Sequence, residues 1–294
     1  MPRLKIRHIT TYTYAQPVRF GDHRLLVRPR DSHDLRLVSS TLSIRPAGTL
    51  RWLHDVFSNS IAIARFETPS TVLSFESVIV VDHYGVNDVS FPLADYAQNL
   101  PFDYPVNELP DLRPTMQPHF PDPDGRLAEW IGLFHQPGTQ TPTMDVLDRM
   151  VRAIRNDFTY AAREEPGVQS PAETLGARQG SCRDYALLMM EACRQLGLAS
   201  RFVTGYLYDP ALEGGEGDGT VGAGATHAWC QVYLPGMGWT EFDPTNGAYT
   251  GTNLIRIGVA RNPEQAMPVQ GSFYGDPGGD VVMDVQVQVT RSPS

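Results

Sequence analysis

The sequence predicts an α+β protein with an N-terminal β-sandwich domain and a C-terminal domain that mixes helices and strands. Residues 1–90 hold short β-branched and aromatic segments between turn residues, as is typical of a sandwich. Residues 126–294 contain helical periodicity as well as strand composition. Residues 91–125 are rich in proline, which predicts an extended, semi-rigid linker between the two domains.

Strand composition recurs along the first 90 residues. The opening segment is rich in β-branched and aromatic residues, and turn residues such as Pro17, Gly21 and Pro29 separate the later segments. Short strands with few helical signals between them favour a sandwich. The predicted strands cover residues 5–14, 25–28, 35–44, 61–66 and 71–82.

The C-terminal domain begins with helical patterns and continues with strands. Apolar side chains at Met144, Leu147, Val151 and Ile154 have the spacing of an amphipathic helix. The turn sequence Pro-Gly-Met-Gly at residues 235–238 separates two strand-like segments. The predicted helices cover residues 127–134 and 144–158, and the predicted strands cover residues 202–208, 226–234, 239–243 and 285–289.

A further helix is predicted to begin at Cys182. Gly180 interrupts the preceding structure, Ser181 is a favourable N-cap, and Asp184 follows three residues later, as in a capping box. The Cys182 sulfur would then lie near unpaired backbone N–H groups and the positive end of the helix dipole. Both features favour the reactive thiolate form of a cysteine.

His227 and Asp243 lie on the two strands that flank the predicted turn. If the loop spans residues 234–238, Tyr233 is opposite Trp239, and His227 becomes a diagonal neighbour of Asp243 on one face of the sheet. A slip of one residue in this register would turn Asp243 to the opposite face. The spacing therefore permits a hydrogen bond between the imidazole and the carboxylate.

A cysteine nucleophile, an imidazole base and an orienting carboxylate form a standard arrangement for acyl transfer. Each residue also has a purely structural interpretation. Cys182 fits a small buried residue at a helix start, His227 fits a hydrogen-bonded strand residue, and Asp243 fits a turn.

Three blocks of sequence together resemble the bacterial transglutaminase-like cysteine enzymes. The blocks are Gly-Ser-Cys-Arg-Asp-Tyr-Ala at residues 180–186, Thr-His-Ala-Trp at 226–229 and Gly-Trp-Thr-Glu-Phe-Asp-Pro-Thr-Asn-Gly at 238–247. The resemblance implies a papain-like fold, in which a helix carrying the cysteine packs on an antiparallel sheet. It implies Cys182 as nucleophile, His227 as base and Asp243 as orienting carboxylate. It also implies that the N-terminal region is the β-domain preceding this core in many members.

Further residues are candidates for the same cleft. The backbone N–H of Cys182 can donate to an oxyanion, and Tyr160 is a candidate for the second donor. Trp229 and Trp239 share the predicted His227 face, so either is a candidate wall of the cleft, although core packing is the commoner role of tryptophan. Arg183 is a candidate for raising the local potential around the thiol, or it faces solvent.

Composition excludes several classes of function. The 294-residue chain has a net charge of −9 and no basic run, which disfavours nucleic acid and anionic membrane surfaces as partners. The sequence has no metal-ligand spacing such as C-x-x-C, and we expect neither a metal nor a cofactor. An odd count of three cysteines, with no apolar leader after Met1, predicts a cytoplasmic protein.

The sequence predicts a cysteine hydrolase that acts on amide or peptide bonds of a peptide, protein or other amide substrate through a thioacyl intermediate. One alternative is a transglutaminase, in which an amine resolves the same intermediate. An alternative of another class is a non-catalytic binding or scaffold protein. The sequence predicts no oligomeric state.

Overall fold

The chain forms two antiparallel sheets at its N-terminal end and a helix-covered sheet in its middle. A computed structural model describes residues 2–85, 92–162, 167–209, 224–249 and 253–292. The N-terminal strands are β1 (Arg3–Phe20), β2 (His23–Arg28), β3 (Leu35–Arg45), β4 (Gly48–His54), β5 (Ser60–Phe66) and β6 (Ser70–His83).

The middle of the chain carries the helices. The elements that follow β6 are β7 (Asn99–Leu100), α1 (Leu109–Met116), α2 (Arg126–Gly132), β8 (Thr141–Pro142), α3 (Thr143–Asp157), β9 (Thr159–Tyr160), α4 (Pro171–Ala177), β10 (Gln179–Gly180) and α5 (Cys182–Gln195). The last elements are β11 (Ser200–Leu207), β12 (Thr226–Leu234), β13 (Gly238–Asp243), β14 (Ala248–Tyr249), β15 (Leu254–Ala260), β16 (Val269–Gln270), β17 (Phe273–Tyr274) and β18 (Val282–Arg291).

The N-terminal strands form the predicted sandwich. One sheet has the order β17-β1-β6-β3, with β18 also paired to β1, and the other has the order β16-β2-β5-β4. Val18 and Phe75 of the first sheet pack against Leu25 and Ala62 of the second in one buried cluster. Side chains along β6 alternate between buried and more exposed positions, as expected when one face of a strand covers a core.

Strands from the end of the chain join the N-terminal sheets. We expected residues 126–294 to form one domain, but β16 pairs with β2, and β17 and β18 pair with β1. The predicted strand at residues 285–289 lies within β18, which pairs with β1 from Leu4↔Arg291 to Thr13↔Val282. The end of the chain therefore completes the N-terminal sheets, because β1 offers it an antiparallel partner that chain order does not reveal.

The described part of the proline-rich segment, residues 92–125, contains a helix and buried side chains. The helix is α1, which begins with Pro110 in its first turn, where a missing N–H is tolerated. The buried Tyr104 hydroxyl donates to the carbonyl oxygen of Tyr233 at 2.8 Å and accepts from the N–H of Ala199 at 2.9 Å. Leu100 and Leu112 are buried as well, so this segment packs onto the C-terminal domain as part of its body.

The C-terminal domain places one helix on one antiparallel sheet, as predicted. The sheet has the order β14-β13-β12-β11-β15, and α5 packs across β12 and β11. Ala186 and Met190 of α5 share an apolar core with Cys230 of β12 and Phe242 of β13. This helix-covered side of the sheet is called the inner face below.

The sandwich covers the opposite, outer face of the same sheet. Leu4 and Ile79 from the sandwich share a buried cluster with Ile255 and Ile257 of β15. The Asn59 side chain donates to the Val259 carbonyl oxygen at 2.7 Å and accepts from the Val259 N–H at 3.0 Å. The two domains are therefore joined by apolar packing and by hydrogen bonds to the backbone of β15.

Candidate active site

Cys182 is the first residue of α5, as predicted, and Asp184 fixes the first turn of that helix. The Asp184 carboxylate accepts from the Ser181 N–H at 2.8 Å, from the Ser181 hydroxyl at 2.8 Å and from the Gln169 N–H at 2.7 Å. Asp184 is completely buried, so these bonds are shielded from water. The Cys182 sulfur is thereby held at the end of the helix where backbone N–H groups are unpaired.

The chain is tightly packed at Gly180, two residues before Cys182. A Cβ added at Gly180 would lie 3.0 Å from Asp184 Cβ and 3.1 Å from the Tyr185 ring. Gly180 also pairs with Tyr160 across the short parallel β9–β10 bridge. That bridge brings Tyr160 to Cys182, and both burial and the neighbouring Cys182 raise the pKa of the Tyr160 hydroxyl.

His227 and Asp243 meet through the predicted strand register. Tyr233 is opposite Trp239, and the imidazole Nε2 lies 2.9 Å from Asp243 Oδ2. His227 is completely buried and Asp243 is 3% exposed. With the proton assigned to Nε2, that N–H donates to the carboxylate and leaves Nδ1 as the basic nitrogen.

The imidazole of His227 is held between a carboxylate and a thiol. Burial alone would lower its pKa, but the Asp243 carboxylate and the Cys182 thiol outweigh burial and raise the pKa of His227 to about 10. Nδ1 is buried and has no hydrogen-bond partner of ordinary geometry among the described residues. Cys182 is therefore close enough to raise the pKa of the imidazole. No other described group forms a hydrogen bond with Nδ1 of His227.

Two neighbours of Asp243 were missed from the sequence. Asp243 Oδ1 accepts from the Thr245 N–H at 3.0 Å, and Oδ2 accepts from the Asn246 side-chain amide at 2.7 Å. These two donors fix the orientation of the carboxylate. The signal was present, because an Asp-Pro-Thr-Asn turn can return its own N–H groups to the aspartate that opens it.

The two candidate tryptophans lie in different places. Trp229 is completely buried and stacks on His227, with ring centroids 5.8 Å apart. Its indole also lies near the buried Glu241 carboxyl, whose pKa burial raises while Arg256 and this indole lower it. Trp239 is opposite Tyr233, six residues beyond His227 on the strand register, or about 20 Å away. Trp239 instead lines the cavity between the sheet and the N-terminal strands.

The remaining candidate, Arg183, occupies the second position of α5 and is partly buried. Its charge lowers the pKa of Tyr160, although burial and Cys182 raise that pKa overall. Arg183 therefore contributes a positive charge to the surroundings of the thiol.

The three cysteines differ in environment. All are free thiols, and Cys182 is 8% exposed, whereas Cys193 and Cys230 are completely buried. Burial raises the pKa of Cys193 to about 12 and raises the pKa of Cys230 well above its ordinary range. Cys182 alone combines access with an imidazole neighbour.

No helix within the described ranges is long and apolar enough to cross a membrane.

Family models match both parts of the chain. Residues 135–244 match the model described as the transglutaminase-like superfamily, and residues 4–82 match the model described as the bacterial transglutaminase-like N-terminal region. The resemblance drawn from the sequence motifs is therefore confirmed. The core match ends one residue after Asp243, so it spans the three residues that the geometry brings together.

Relatives and a solved structure extend over nearly the whole chain. An uncharacterized protein of Mycobacterium tuberculosis is 28% identical over 296 residues, covering 98% of this chain and 92% of the relative. An uncharacterized protein of Mycobacterium leprae is 24% identical, covering 99% of each. The crystal structure of a proposed cysteine protease from Cytophaga hutchinsonii has a TM-score of 0.71 at 18% identity, covering 100% of this chain and 91% of that one. At that identity the likeness concerns the fold.

Proposed function

We propose, on the premise that residues 135–244 form a transglutaminase-like core, that the protein is a cysteine hydrolase of amide or peptide bonds. The observation that carries the proposal is the environment of His227. Its Nε2 is hydrogen-bonded to Asp243 at 2.9 Å. Its Nδ1 has no hydrogen-bond partner among the described residues, and the Cys182 thiol is the neighbour that raises the pKa of the ring together with Asp243. This is the arrangement that a thiol nucleophile, a base and an orienting carboxylate require.

The proposed reaction begins at Cys182. Because the pKa of His227 is raised to about 10, Nδ1 holds the proton that the Cys182 thiol has given up, and the thiolate attacks the substrate carbonyl. The backbone N–H of Cys182, and by proposal the Tyr160 hydroxyl, donate to the oxyanion. His227 then gives the proton to the departing amine, which leaves a thioester on Cys182. Water, activated by the same Nδ1, releases the carboxylic acid and restores the thiol.

Asp243 acts on this sequence through the imidazole. It holds the proton on Nε2, which keeps Nδ1 basic, and its negative charge stabilises the imidazolium that forms after proton transfer. Thr245 and Asn246 hold the carboxylate in place. The roles of all these residues are part of the proposal.

An amine could also resolve the thioester, which would make the protein a transglutaminase. We prefer hydrolysis because an enzyme that accepts amines would cross-link proteins of its own compartment. We propose that this compartment is the cytoplasm, since all three cysteines are free thiols.

Alkylation of the native protein tests the nucleophile. With iodoacetamide, we expect one fast adduct at Cys182, absent in Cys182→Ala and unchanged in the matched Cys193→Ala variant, read by peptide mass spectrometry. Cys193 and Cys230 should react only after denaturation because they are completely buried. Labelling of Cys182 no faster than the other two would contradict a catalytic role and favour a binding or scaffold protein.

An acyl probe tests the fate of the thioester. A peptide with a chromogenic amide should acylate Cys182 and release free acid as the main product when a primary amine is added at low millimolar concentration. Predominant formation of the amine adduct would replace hydrolysis by acyl transfer.

A further inference from the structure

A cavity of about 570 Å³ lies between the sandwich and the outer face of the core sheet. The sheet contributes Arg201, Gln231 and Trp239, and the sandwich contributes Asp34 and Phe57. Its volume falls within the range of sites for small molecules, roughly 300–1,000 Å³. Trp229, which is completely buried beside His227, separates this cavity from the triad.

Arg201 is a positively charged residue that lines this cavity. Its Nε donates to Gln231 Oε1 at 2.8 Å, and its guanidinium carbon lies 4.1 Å from the centroid of the Trp239 ring. No carboxylate oxygen of a described residue lies within 4 Å of its nitrogens. The Arg201 guanidinium is thus fixed in orientation. Its two Nη groups form no ion pair with a described acidic side chain.

The neighbouring Arg256 is bonded to two of the three acidic residues that line the cavity. Arg256 donates to Glu241 Oε1 at 3.0 Å and to both oxygens of the Asp34 carboxylate at 3.3 Å. Burial lowers the pKa of Arg201, the charge of Arg256 lowers it further, and the Glu241 carboxylate offsets only part of this decrease. A shielded cation beside a second cation is destabilised unless an anion accompanies it.

We propose that this cavity binds a small organic carboxylate, anchored by the Nη groups of Arg201. A planar guanidinium held flat on an indole matches a carboxylate through two parallel hydrogen bonds. Phe57, Met237 and Leu254 supply apolar surface for the hydrocarbon part of such a ligand. The site is separate from the proposed catalytic residues, so the proposal stands whether or not Cys182 is a nucleophile.

Calorimetric titration of the full chain tests this site. The probes are acetate, butyrate, phenylacetate and glutarate, each beside its neutral amide. At least one carboxylate should bind saturably and at least about tenfold more tightly than its amide, because a charged acceptor forms stronger hydrogen bonds with a guanidinium than a neutral amide does. Arg201→Gln should remove that preference.

The matched control is Arg28→Gln, because Arg28 also lies over an indole, that of Trp52 at 5.5 Å, but outside this cavity. Arg28→Gln and Cys182→Ser should both bind as the unmodified chain does, which separates this test from the test of the nucleophile. If Arg201→Gln does not fold by circular dichroism, Arg201→Lys keeps the charge, loses the planar fork and should bind more weakly. Equal binding of every carboxylate and its amide, or unchanged binding in a folded Arg201 variant, would overturn the proposal.

Discussion

His227 and Asp243 of the proposed triad share a face of β12 and β13 with the residues that line the interdomain cavity, yet the two sites compensate charge differently. At the triad, Asp243 is bonded to His227, Thr245 and Asn246, all from the same chain. In the cavity, Arg256 has two carboxylate partners, whereas Arg201 has none among the described residues.

The two sites differ in whether their charged groups already have partners within the protein. The proposed triad is organised in advance, because the buried Asp243 carboxylate and His227 imidazole are hydrogen-bonded to each other. In the cavity Arg201 is held on the Trp239 ring but forms no ion pair within 4 Å with a described residue. Trp229 lies between the proposed triad and the cavity. Its indole stacks on His227 and also lies near Glu241.

The largest expected effect comes from making the triad incomplete. Asp243→Asn should lower kcat/KM by about 10²–10⁴-fold, because the imidazole loses the charge that holds its proton on Nε2. Steady-state kinetics on an amide substrate measures the loss. The matched control is Asp148→Asn, which removes a carboxylate from the exposed pair with Arg152. If Asp243→Asn retained activity within a fewfold of the unmodified chain, the carboxylate would have no catalytic role.

The next effect concerns stability and pH. The pKa of His227 is raised from 6.5 to about 10 by Asp243 and Cys182 against the opposing effect of burial. The folded chain therefore holds this proton more tightly than the unfolded chain. The stabilisation is complete below about pH 6.5 and is lost as the pH rises towards 10, at a slope of up to about 1.4 kcal/mol per pH unit.

Urea unfolding at several pH values measures this linkage. The difference in unfolding free energy between the unmodified chain and His227→Asn should shrink steadily across that window. Cys182→Ala should reduce the linkage without abolishing it, because Asp243 remains. A difference that does not change with pH would mean that the buried pair does not hold a proton in this way.

The smallest expected effect comes from displacing Trp229 by a substitution at Gly205. A Cβ added at Gly205 would lie 2.7 Å from Trp229 Cη2 and 2.2 Å from the Ile255 carbonyl oxygen. Gly205→Ala should lower the free energy of unfolding by about 1–3 kcal/mol, as overpacked cores do. It should also lower activity by displacing Trp229 from His227, although no polar residue of either site changes.

Thermal unfolding and kinetics on the same samples check this variant. Gly132→Ala is the matched control, because its added Cβ would meet only a flexible side-chain atom of Gln136 at 3.9 Å. An unchanged melting temperature in Gly205→Ala would show that the two strands and the indole can adjust to the added methyl group.

Local features of the site were predictable from sequence. The start of α5 followed from Ser181 and Asp184, and the pairing of His227 with Asp243 followed from the length of the turn between β12 and β13. Both depend on interactions between residues close in the chain. Asn246 could also have been found, since its bond to Asp243 closes a turn of three residues.

Long-range features were not predictable. Residues 285–289 read as a strand, but only the folded chain shows that they belong to β18 and pair with β1. Pro110 and Pro114 argued against a helix that nevertheless forms as α1, because packing on the C-terminal domain outweighs its weak intrinsic preference. Gly205 gave no signal, since its need for a small residue comes from Trp229 and Ile255.

The sequence by itself determined which residues could do chemistry and how each is presented, because helix caps, turns and strand alternation are set by neighbours in the chain. Only the tertiary structure decided that Cys182 meets His227, that Trp229 divides the outer face, and that Arg201 is left without a carboxylate partner among the described residues. Those outcomes depend on contacts between distant segments, where the burial of apolar surface fixes which polar groups come together and which do not.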